Sequence, residues 1–153
     1  MKVWLKAATC VVGIGLPLLC GCSSAPSGTG SFKLTKSQIS RFGNKQEIVT
    51  RNSDRCVDKS GGITYNLMSC GGVAIDGYQS IIDEIVIIKN STASPAEIQR
   101  LSSSQASWLA SAKKHCEDDS DVRDGGTAGA VSFNACIADA FDHRVTHLIG
   151  ARQ

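Results

Sequence analysis

Asp139, His143 and His147 recur at steps of four residues, so they share one face of any helix that holds them. Two histidines at that spacing can bind a divalent metal. The segment "HRVTH", however, lacks the glutamate that serves as general base in the H-E-x-x-H arrangement of zinc proteases. A satisfied or exposed histidine pair is the expected role, with no metal. Just upstream, "EDDSDVRD" looks like a calcium loop. Counted from Asp119, its fifth place is Arg123 and its twelfth is Ala130 where an EF-hand needs glutamate, so that chemistry is rejected. The expected use of the run is electrostatic: Glu117, Asp118, Asp119, Asp121 and Asp124 form a candidate surface for a basic protein. His115 and Cys116 are adjacent, and neighbouring side chains diverge on a helix, so they make no nucleophile–base pair. Without a Ser/His/Asp set or a glycine-rich phosphate loop, the chain is expected to be neither an enzyme nor a cofactor binder.

The seven cysteines divide by position. Lys2 and Lys6 precede an apolar run over residues 7–19, shorter than the roughly 20 residues a spanning helix needs. A charged start, a short apolar core and small residues at its end read as an export signal. Its end, Leu19-Cys20-Gly21-Cys22, resembles a bacterial lipobox, in which Cys22 is the residue that receives lipid. Residues 1–21 are then the signal peptide, and Cys10 and Cys20 leave with it. Ser23, rather than Asp, follows the cysteine, which directs such a protein to the outer membrane in a Gram-negative cell. The remaining cysteines are Cys56, Cys70, Cys116 and Cys136. Four cysteines in an exported small domain suggest two disulfides, in one of three pairings. Cys56–Cys70 with Cys116–Cys136 is favoured because each closes a short loop. The absence of C-x-x-C knuckles argues against a zinc site.

Charge is uneven. Residues 23–51 carry Lys33, Lys36, Arg41, Lys45 and Arg51 against Glu47, a net of +4, whereas residues 52–153 carry a net of −4. A basic tether beside an acidic domain fits an anionic membrane on one side and a basic partner on the other. No nucleic-acid motif is present.

These residues must be positioned by helices. Ile63, Leu67, Cys70, Ala74, Gly77, Ile81, Ile85 and Ile88 recur at steps of three and four, one apolar stripe. Gly71, Gly72 and Gly77 each weaken it by roughly 1 kcal/mol against Ala and predict a bend near Gly71. In "SPAE", Ser94 predicts an N-cap, Pro95 the first helical position and Glu97 a capping box. Ile98, Leu101, Gln105, Trp108, Ala112 and Cys116 follow on one face. After a turn at Gly125 and Gly126, the residues Phe133, Ile137, Phe141, Val145 and Leu148 mark a third helix. Residues 32–55 show no clean period and read as loop. The predicted fold is all-α: a small antiparallel three-helix bundle stapled by two disulfides, residues 55–153, behind a flexible lipidated tether, residues 22–54.

The pattern Leu101, Gln105, Trp108, Cys116, Gly125-Gly126-Thr127, Cys136, Arg144 and Leu148, preceded by Cys56, Thr64, Met68 and Cys70, resembles the LprI-like lysozyme-inhibitor domain over residues 55–150. The chain departs from that family at Lys113-Lys114-His115, where Arg-Asp is usual, and in "SIIDEIVI", which lacks a usual Leu-Asn and Tyr. The resemblance implies a protein that binds and inhibits lysozyme and so protects peptidoglycan; with the lipobox-like segment, the expectation is an exported, lipid-anchored lipoprotein of the bacterial cell envelope. In this reading Trp108 is core and Arg144 a salt-bridge partner for acidic helix faces. The alternative expectation is an envelope-assembly or structural lipoprotein with another envelope protein as its target.

Overall fold

In the computed structural model, residues 33–123 and 125–150 are described, the side chains of Ser120 and Asp121 excepted. The signal segment, Cys22 and Asp124 lie outside the described residues. Four long helices, α1 (Lys36–Lys59), α2 (Thr64–Asn90), α3 (Pro95–Glu117) and α5 (Gly126–Ile149), and the single turn α4 (Ser120–Arg123) make up the described chain. The all-α class and the three expected helices hold. The count does not, because a fourth long helix occupies the stretch read as loop.

That helix, α1, starts at a reciprocal capping box: Gln38 N–H donates to Thr35 Oγ1 (3.2 Å) and Thr35 N–H to Gln38 Oε1 (2.8 Å). It is anchored by Phe42, which is fully buried against α2 and α5. Gln46 Nε2 reaches Asp142 Oδ1 and Thr146 Oγ1 on α5, each at 2.8 Å. Arg41 Nη2 donates to Glu84 on α2 at 2.6 Å, and Lys45 pairs with the same carboxylate. Lys45 and Arg41 hold the Glu84 carboxyl below its ordinary range. The basic segment is therefore not a free tether over residues 36–54. Arg41 and Lys45 face α2, and Arg51 pairs with Glu47 one turn away on α1.

The turn into α2 uses Gly61 (φ 62°) and Gly62 (φ 73°), left-handed positions where a side chain would be strained. The central helix is α2. It buries Cys70, Ala74, Tyr78, Ile81, Ile82 and Ile85, touching α1, α5 and α3, and it runs unbroken through Gly71. Its isoleucine-rich end is helical despite the strand preference of β-branched residues, because neighbours cover it on several sides. The glycine cost is offset by close packing. A Cβ on Gly77 would stand 2.9 Å from Val49 Cγ2, and one on Gly71 would stand 3.1 Å from Asn134 Cβ. No helix among the described residues is long and apolar enough to cross a membrane.

Ser94, Pro95 and Glu97 start α3 as expected, with both halves of the capping box formed. In α5, Ile137, Phe141, Val145 and Leu148 are buried, and the helix stops at Gly150 in the left-handed conformation (φ 69°). The favoured disulfides are present: Cys56–Cys70 ties α1 to α2 (Cα–Cα 5.6 Å) and Cys116–Cys136 ties α3 to α5 (Cα–Cα 5.7 Å).

Candidate interaction surface

Asp139, His143 and His147 share the exposed side of α5, and no group of three potential ligands converges among the described residues.

The acidic run forms the corner between α3 and α4. Glu117 closes α3 and Asp118 caps it, its N–H donating to Lys114 O at 3.0 Å. The Asp118 carboxylate pairs with Lys114 Nζ at 2.8 Å, which holds Asp118 below and Lys114 above their ordinary ranges. Glu117, Asp118 and Asp119 are exposed; Asp124 and the Asp121 side chain lie outside the described residues. Lys114, His115 and Arg123 stand among these acids and dilute their field.

A second acidic feature was not legible in the sequence. A groove of about 340 Å³ opens between α1, α2 and α5. Val57, Leu67, Ala74 and Ala135 supply apolar lining, and Asp54, Asp139 and Asp142 supply its charge. Not one Lys, Arg or His lines it, and no ion pair among the described residues engages those three carboxylates. Asp142 is held by the Gln46 amide, which also fixes α1 against α5. Tyr78 Oη and Thr50 Oγ1 are hydrogen-bonded at 2.9 Å in the same wall. Burial pushes the Tyr78 hydroxyl above its ordinary value, and the negative charges of Asp142 and Asp54 add to the shift.

Three residues of the sequence pattern meet where α3 docks. Arg144 is buried on α5. Its Nε donates to Gln105 Oε1 at 2.6 Å and its Nη2 to Ser104 Oγ at 3.3 Å. The guanidinium lies 5.2 Å from the centre of the Trp108 ring, whose edge-on neighbour is Phe141. Trp108 packs against the core as expected. Arg144 does not pair with a carboxylate among the described residues: an uncharged amide and an aromatic face take that place, and burial lowers its pKa. The motif thus docks α3 against α5.

The described residues thus form a small helical domain stapled by two disulfides, with acidic side chains exposed at the α3–α4 corner and along the groove. The family model described as "Lysozyme inhibitor LprI" matches residues 56–148, and the chain belongs to this family. The match begins at Cys56, so most of α1 precedes it. No curated protein and no solved structure matches the chain.

Proposed function

We propose that this protein is an exported bacterial lipoprotein that binds and inhibits lysozyme and so protects peptidoglycan. The observation that carries this reading is the family match over residues 56–148. Two disulfides suit an oxidising, exported setting. Glu117, Asp118, Asp119, Asp121 and Asp124 act at long range: they attract a basic enzyme, so association slows as salt rises. The test is muramidase inhibition by the oxidised, unlipidated chain, residues 23–153, across several lysozyme classes at low and high salt. Inhibition that weakens with salt is expected. A folded, fully bridged sample that inhibits none of them would sink this reading and favour an envelope-assembly partner, which pull-down from envelope extract would reveal.

Anchoring is through lipid on Cys22, at the end of the lipobox-like segment. Labelled palmitate is expected to enter the wild-type chain and the Cys20→Ala variant, and to be lost from Cys22→Ala. Equal labelling of all three would remove Cys22 as the acylated residue.

A further inference from the structure

We infer that the groove between α1, α2 and α5 is the docking seat of this protein, and that it receives a lysine or arginine side chain projecting from the bound protein. The identity of that protein as lysozyme rests on the function proposed above; the groove chemistry does not.

The shape and charge of the groove select the occupant. A volume of about 340 Å³ lies at the small end of the ligand-pocket range of about 300–1,000 Å³, enough for a projecting side chain and its neighbours. The apolar lining from Val57, Leu67 and Ala135 matches the methylene stem of a long basic residue, which buries its stem and keeps its head among polar groups. Asp54 and Asp139, on α1 and α5, are exposed and have no ion pair among the described residues. An acidic partner would be repelled here and a purely apolar one would leave these carboxylates desolvated and unmatched. A cationic head satisfies both.

The acidic corner at the α3–α4 junction differs in its charge. Its Asp118 is already paired with Lys114, and Arg123 stands beside the same carboxylate, whereas no Lys, Arg or His lines the groove. The corner supplies attraction and the groove supplies the lasting contact. Changes at the corner therefore act on the association rate, and changes in the groove on the dissociation rate.

The experiment measures binding kinetics of the oxidised, unlipidated chain, residues 23–153, with lysozyme. The variants are Asp54→Asn/Asp139→Asn, which removes charge, and Ala135→Phe, which fills the groove without changing charge. Circular dichroism and thermal melting establish that each is folded. Both are expected to raise Kd about tenfold or more, mainly through faster dissociation. The corner triple variant Glu117→Gln/Asp118→Asn/Asp119→Asn is expected to slow association alone. Groove variants that dissociate at the wild-type rate would overturn the docking seat and leave lysozyme inhibition standing. Should the wild-type chain not bind lysozyme, the lysozyme reading fails, and hexalysine decides the groove by NMR. Shifts centred on the methyls of Val57, Leu67 and Ala135, lost in Asp54→Asn/Asp139→Asn, support a seat for basic side chains. Shifts elsewhere, or none, overturn it.

Discussion

Replacing Phe42 with alanine is expected to destabilise the domain by about 3–5 kcal/mol, the range for truncating a buried aromatic residue. Phe42 is 0 % exposed and belongs to the same cluster as Tyr78, Ile81, Ile85 and Phe141. No other residue of α1 is fully buried, so nothing else on that helix can fill the cavity left behind. The electrostatic contacts of α1 cannot compensate. Arg41 and Lys45 meet Glu84 at the surface, where exposed ion pairs contribute about 0–1 kcal/mol. Against a total stability of roughly 5–15 kcal/mol the loss is large. It corresponds to a drop in Tm on the order of 10–20 °C for a domain of this size. Ile48→Ala on the same helix is the control: Ile48 is 50 % exposed, and its loss should stay within about 0.5 kcal/mol. Equal and negligible effects of the two substitutions would mean that α1 is only a tether.

The contrast between Phe42 and Ile48 also explains why α1 was hidden in the sequence while α3 and α5 were not. Capping residues announce α3, and apolar side chains at helical spacing announce both α3 and α5. The inward face of α1 is Phe42, Gln46, Val49, Ser53 and Cys56, also at helical spacing, but two of its five residues are polar. Gln46 is acceptable there because its amide finds Asp142 and Thr146 on α5, partners that a one-dimensional reading cannot see. The local clue that was available is the Thr35–Gln38 capping box. The groove was hidden for a related reason: Asp54 and Asp139 are far apart in sequence and become one surface only when α1 packs beside α5. The acidic run from Glu117 was conspicuous because it is contiguous, and contiguity concealed the pairing of Asp118 with Lys114. The same applies to Arg144, whose fold partners, Gln105 and Trp108, were visible as motif residues but not as its contacts.

Removing Cys116–Cys136 by a double change to alanine is expected to cost about 3 kcal/mol from loop entropy alone, and removing Cys56–Cys70 about the same. The two losses differ in where they act. Cys56–Cys70 joins α1 to α2, helices that also share Phe42, Val49 and the Glu84 ion pairs. Cys116 is 0 % exposed and is itself core, and α3 otherwise reaches that core mainly through Trp108, Leu109 and Ala112. Loss of Cys116–Cys136 should therefore release α3 selectively. Amide hydrogen exchange should accelerate across α3 more than in α2 and α5, whereas Cys56→Ala/Cys70→Ala should leave α3 protected. Uniform acceleration in both variants would show that the helices open as one unit. Protection of α3 without its disulfide would assign its docking to the Trp108–Gln105–Arg144 cluster. With both bridges removed, the summed cost of about 6 kcal/mol approaches the whole stability of a domain this small. The fully reduced chain should then be largely unfolded at physiological temperature and recover its helical signal on oxidation. The groove should be lost and regained with that signal, because the wall carrying Asp54 and the wall carrying Asp139 are brought together by the fold that those bridges stabilise.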